Sequence, residues 1–219
     1  MSPENSGTPN GPASSNQPNV GSDRGPSEPI PFDYQAPENH INQRHELSFG
    51  IRQTLPVGSV REDWAGHPRS DGSAGFWQSV HRDLLKGSAA FTKGFQSLLD
   101  VPETELDQKH GVQRLTNYGA SLISFAHHHH EIEDHNYFPQ IRALYPQIDH
   151  AMTLLDCDHR ILDEALNDTE LALANLSQTT ATRDQIAAIY KGGQALDKIL
   201  NRHIWDEEDI VIPILLAHG

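Results

Sequence analysis

Four amphipathic stripes, each carrying a histidine in an otherwise apolar row, most constrain what this chain can fold into. The first runs Trp77, His81, Leu84, Ser88, Phe91, Phe95 and Leu98. The second runs Leu115, Tyr118, Leu122, Phe125 and His129 and continues to Ile132 and Glu133. The third is Met152, Leu155, His159, Leu162, Leu166, Thr169, Leu173 and Leu176. The fourth is Ile186, Ile189, Gly193, Leu196, Leu200, His203, Glu207 and Ile210. Steps that mix threes and fours put all members of a stripe on one face of a helix. Four such helices with short connections predict an all-α fold, most simply an up-down-up-down four-helix bundle, over residues 74–219.

A polar phrase recurs within those stripes. It reads His129-His130-Glu131-Ile132-Glu133 with Pro139 after it, and His203-Ile204-Trp205-Asp206-Glu207 with Pro213 after it. Residues i and i+4 share a helix face one turn apart, so each histidine and glutamate can reach one point. His81, His129, His159 and His203 all take core positions, with Glu133 and Glu207 on or beside the same faces. Two carboxylates aimed into an apolar interior are costly unless cations neutralise them. Counting at about 1.5 Å per residue places the four histidines in one layer toward one end of the bundle. The chain also repeats itself: His81-Arg82-Asp83-Leu84 resembles His159-Arg160-Ile161-Leu162, and each precedes a His-x-x-x-Glu helix. Two hairpins related by a pseudo-twofold would each contribute His, His and Glu.

The segments ahead of the stripes differ in kind. Residues 1–29 are Ser, Asn, Pro and Gly with scarcely an apolar side chain, which predicts a disordered tail. Residues 30–73 predict an N-terminal arm wrapping the bundle, with Ile41, His45, Ser48 and Ile51 hinting at a short helix ended by Leu55-Pro56. A net charge of -14 without a basic stripe argues against nucleic acid and against anionic lipid. The longest apolar stretch, Ile210 to Ala217, is too short to span a bilayer and is interrupted by Pro213. A single cysteine, Cys157, and no visible secretory signal point to the cytoplasm. Cys157 lies two residues from His159, so it points elsewhere and reads as an inert thiol.

Four imidazoles and two carboxylates, with no thiolate, suit iron, manganese or zinc. Six ligands fill two metal positions only if Glu133 and Glu207 bridge both ions and an oxo or hydroxo group joins them. Positions then stay open for a small ligand. The ferritin-type Glu-x-x-His motif is absent, the order here being His-x-x-x-Glu.

The set His81, His129-x-x-x-Glu133, His159 and His203-x-x-x-Glu207, with the phrase His-His-x-x-Glu-Asp-x-x-x-Phe-Pro, resembles the hemerythrin-like family with its HHE cation-binding domain. The resemblance covers about residues 75–219 and implies a four-helix bundle around a non-haem di-iron centre held by those six residues. It implies binding of dioxygen or nitric oxide as carrier or sensor. A di-iron oxidase or peroxidase, and iron storage or handling, are the alternatives. The chain departs from oxygen-carrying members in two places. Asp163 stands where their third helix has a second histidine, and Glu207 or Glu208 must serve where their last helix has an aspartate. His127 and His128 are rotated away from the stripe and His130 and His135 flank it, so these predict surface groups or groups that orient ligands. His130 with Asp134 is the alternative ligand pair. Trp205 and Asp206 are expected to serve packing and solvation.

Overall fold

The computed structural model describes residues 31–56, 60–106, 111–178 and 180–218. The tail expected over residues 1–29 lies outside them. All regular structure among the described residues is helical. In chain order the helices are α1 (Phe49–Thr54), α2 (Ser73–Leu99), α3 (Gly111–Ile132), α4 (Phe138–Leu144), α5 (Asp149–Gln178) and α6 (Arg183–His218). Short 3₁₀ turns lie between several of them, and a π-helical turn, Glu133–Tyr137, joins α3 to α4. The four long helices α2, α3, α5 and α6 form a helical bundle in which α2 and α5 each pack on both α3 and α6.

The stripes of α5 and α6 are buried throughout, and that of α2 is buried from Trp77 to Phe95. The stripe on α3 is displaced. Tyr118 and Phe125, expected inside, are 42% and 41% exposed, and the buried row is Val112, Thr116, Gly119, Ile123, Ala126, His130 and then Glu133. The displacement is one residue, about 100° around the helix. Its cause is close approach. A Cβ on Gly119 would meet Phe91 Cε2 at 2.5 Å and Leu173 Cδ1 at 2.7 Å, so small side chains face the neighbouring helices and the large ones flank the contact.

The two prolines act differently. At the first, Phe138 N–H donates to the Glu133 carbonyl, one residue further back than in an α-helix, and Pro139 sits in the first turn of α4. The helical path is therefore widened at this proline rather than broken. Pro213, after the second phrase, lies inside α6, which runs on to His218. Proline removes one helical hydrogen bond, but the buried Ile212, Ile214 and Leu216 hold this last stretch against the core. Arg69 donates to the final carbonyls of Leu216 and Ala217. At the other end of α6, Gln185 N–H donates to Thr182 Oγ1 at 3.3 Å and Thr182 N–H to Gln185 Oε1 at 3.0 Å, a reciprocal cap.

The interior is two apolar cores with a polar layer between them. One core gathers Leu84, Phe91, Leu162, Leu196 and Leu200, and the other Trp77, Phe138, Leu155, Ile210 and Val211. In sequence the histidines fall between these groups: His81 after Trp77 and before Leu84, His159 after Leu155 and before Leu162, His203 after Leu200 and before Ile210. The chain ahead of α2 packs on both cores, Ile41 on the first and Leu47, Ile51 and Trp64 on the second. Its helix α1 is shorter than expected, with Ile41 buried in turns ahead of it and Leu55 at its end.

Candidate metal centre

The polar layer is built from one turn of each long helix. His81 comes from α2, His129 and His130 from α3, Glu133 from the π turn, His159 from α5, and His203 and Glu207 from α6. All but His129 are 2% exposed or less. Their donor atoms fall into two groups, His81, His129, Glu133 and Glu207 in one and His130, His159 and His203 in the other, and within each group they lie within 4.8 Å of one another. The six residues singled out in the sequence thus come together, and His130 joins them as a seventh.

The two glutamates tie the groups together. Glu133 turns Oε1 toward His129 Nε2, at 3.0 Å, and His81 Nε2, at 3.8 Å, while its Oε2 lies 3.4 Å from His159 Nε2. Glu207 Oε2 lies 3.4 Å from His81 Nε2 and 3.2 Å from His203 Nε2. The other oxygen of Glu207 accepts a 2.8 Å hydrogen bond from Trp77 Nε1. The groups do not follow the expected pseudo-twofold, because Glu207 sits with His81 and His129 rather than with the α5–α6 histidines alone.

Most of these inward atoms lack a partner. His81 Nε2, His130 Nε2, both oxygens of Glu133 and Glu207 Oε2 are buried without a hydrogen bond. Orphaned buried polar atoms are expensive. Five of them converging on one layer is a donor set that fits cations, with nitrogen and oxygen ligands and no sulfur.

The outward nitrogens are engaged. For Nε2 to offer a lone pair to a cation, Nδ1 would have to carry the proton. His159 Nδ1 meets Asp134 at 2.7 Å, His130 Nδ1 meets Asp163 at 3.0 Å, His81 Nδ1 meets Glu208 at 3.2 Å and His203 Nδ1 meets Asp158 at 3.4 Å. Carboxylate partners of this kind orient a ligating imidazole and raise its basicity. They also settle several sequence expectations. Asp134 pairs with His159 rather than serving beside His130. Asp163 holds His130 and also His127, at 3.1 Å. Glu208 stands behind His81 instead of replacing Glu207. Asp206, expected at the surface, is 1% exposed and paired with Arg44 and Arg202, while Trp205 is 53% exposed. Cys157 does point away, accepting from Arg160 at 2.8 Å.

Charge in the layer is finely divided. Burial works to lower the pKa of His81, but Glu207, Glu133 and Glu208 outweigh it and raise it to about 10. His203 is likewise opposed by burial and raised to about 9 by Asp158 and Glu207. His130 goes the other way: burial pushes it down to about 4, only partly resisted by Asp163. Glu207 is held well below the usual carboxylate range, His81 and His203 overcoming its burial.

A family model described as the hemerythrin HHE cation-binding domain matches residues 77–215. The chain belongs to this family. Comparison with curated proteins and with solved structures returned no match.

Within this hemerythrin HHE domain the sequence reading gave His130 only as an alternative ligand, paired with Asp134, and did not place Asp134, Asp158, Asp163 and Glu208 behind the histidines. The signal for His130 was the row of small residues, Thr116, Gly119 and Ala126, that leads to it at helical spacing. Nothing local marks Asp158 or Glu208. Both adjoin a core residue of the stripe, and their place behind the histidines shows only once Arg44 and Arg61, far away in sequence, are seen to cover them.

Proposed function

We propose that this chain is a non-haem di-iron protein that binds dioxygen or nitric oxide as a carrier or sensor. Its ligands would be His81, His129, Glu133, His159, His203 and Glu207 together with His130, in an up-down-up-down bundle. The observation that carries this reading is the sharing of Glu133 and Glu207 between two histidine groups, five of whose buried inward atoms have no hydrogen bond. Glu133 has one oxygen toward each group, as a bridging carboxylate needs. A pair of ferrous ions held there would offer a position for a diatomic ligand.

The surroundings favour a small ligand over an organic substrate. Below His130 lies a cavity of about 10 Å³ bounded by Leu84, Leu122, Ala126, Leu162 and Leu200. It is barely the size of one water molecule and lined almost wholly by apolar side chains, which leaves no room there for an organic substrate. The layer itself is roofed by Trp77 and Phe138, both buried. No helix among the described residues is long and apolar enough to cross a membrane, and with a single cysteine the cytoplasm is the compartment we propose.

Metal analysis and oxygen titration test this. About two irons per chain are expected, with a charge-transfer band that appears with oxygen and fades reversibly on its removal. One zinc and no iron would end the di-iron reading. Irreversible bleaching while peroxide or an organic reductant is consumed would favour an oxidase or peroxidase, and uptake of many irons per chain would favour storage.

A further inference from the structure

The carboxylates behind His203 and His81 differ from the other two. Asp134 and Asp163 have side chains 36% and 39% exposed, whereas Asp158 is 0% and Glu208 12% exposed. Each of the buried pair is closed by an arginine from the chain ahead of α2. Arg44 makes a two-pronged contact with Asp158, with Nη1 to Oδ1 at 2.9 Å and Nη2 to Oδ2. Arg61 Nη1 donates to Glu208 Oε2, leaving Glu208 Oε1 on His81 Nδ1. Both arginines lie outside residues 77–215.

We propose that Arg44 and Arg61 are positioning residues of the metal centre, each fixing the carboxylate that aims a ligand imidazole. This rests on the reading of the layer as a two-metal site. Neither guanidinium is free to turn. Arg44 also donates to Asn39 O at 2.7 Å and Asp206 Oδ2 at 2.7 Å, and Tyr34 Oη donates to Asp158 Oδ1 at 2.6 Å, so two side chains from the N-terminal segment, Arg44 and Tyr34, hold one buried carboxylate. Arg61 is stacked between the rings of Trp64, at 4.7 Å, and Trp205, at 4.1 Å, and donates to Asp209 Oδ1 at 2.7 Å and Trp205 O at 2.9 Å.

The consequence is mechanical and electrostatic. A carboxylate pinned by a rigid, always-charged fork keeps its rotamer and its charge. It therefore keeps its imidazole in one tautomer with Nε2 aimed inward. Without the arginine, Asp158 or Glu208 is free to rotate, and the ring it holds loses its acceptor. The two devices act on different donor groups, His81 in one and His203 in the other. The N-terminal segment thus steadies both metal positions, from outside the residues the family model covers.

The test uses the full chain, stripped of metal and titrated with Co(II), whose visible spectrum reports ligand geometry. Wild-type protein is expected to take up about two Co(II). Arg61→Gln, at a partly exposed position, should bind about ten- to a hundred-fold more weakly and show a shifted spectrum at saturation. Arg44→Gln should do the same, and Arg44→Lys, which keeps the charge but not the fork, should recover part of the affinity. Arg69→Gln is the control, since Arg69 caps α6 by bonding only carbonyls. It should leave affinity and spectrum unchanged whatever it does to thermal stability. Wild-type affinity and spectrum in Arg61→Gln would overturn the inference, while failure of the wild type to bind a pair of ions would overturn the two-metal reading beneath it.

Discussion

His129 and His130 are neighbours, yet the chain uses them on opposite sides of the layer. His129 belongs to the group with Glu207, and His130 stacks on His159 with ring centroids 4.2 Å apart. One step on a helix turns about 100°, enough for adjacent side chains to reach two metal positions from one turn. Burial that holds His130 at about 4 leaves it neutral at pH 7, ready to donate without first losing a proton. His130→Leu should preserve the fold, since apolar side chains already line the space below it, and should lower metal content from about two ions per chain to about one. Elemental analysis of the purified variant checks this. His128→Leu, at a histidine whose side chain is 68% exposed, should keep both ions. A loaded His130→Leu with two full equivalents would remove His130 from the ligand set. The six other residues of the layer were legible in the sequence because each stood at a core position or one helical turn from one. His130 was legible only as an alternative, because its row is marked by small residues that hydrophobicity alone does not weight.

At the scale of helices the same cause recurs. The stripes of α5 and α6 were legible because large aliphatic residues are also the buried ones. On α3 the contact is so close that Gly119 faces Phe91 and Leu173, and the larger Tyr118 and Phe125 are left partly in water. Gly119→Leu should therefore destabilise the protein by about 1–3 kcal/mol through overpacking, despite leucine's better helix propensity. The urea midpoint reads this loss, and an unchanged or raised midpoint would show that α3 can move aside. The widened turn at Glu133–Tyr137 and the passage of α6 through Pro213 were equally hidden. Proline marks where a helical hydrogen bond is lost, but whether the helix stops, widens or continues depends on what the flanking residues bury. Here Ile212, Ile214 and Leu216 carry α6 onward.

For the whole molecule, two apolar cores are separated by a layer that must be neutralised in whatever state the protein folds. Metal ions would do this when present. In the metal-free protein, protons on His81 and His203 do it, offsetting Glu133 and Glu207. These histidines titrate near 6.5 when unfolded, and at about 10 and about 9 in the fold. The metal-free fold thus binds more protons than the unfolded chain across that interval. The stability these histidines contribute is fully present below about pH 6.5 and is lost as pH rises through 9 and 10. Metal-loaded protein has neutral imidazole ligands already, so it lacks this dependence on the alkaline side. Urea denaturation after chelation should show a midpoint that falls from pH 7 to pH 10, while the loaded protein's midpoint holds nearly level. Metal uptake at pH 7 should also release about two protons per chain, because ligating imidazoles must be neutral and these two begin protonated. Calorimetry in buffers of different ionisation enthalpy counts those protons. Uptake of two ions without proton release would mean that His81 and His203 are already neutral in the metal-free protein at pH 7, and the fall in its midpoint toward pH 10 should then be absent.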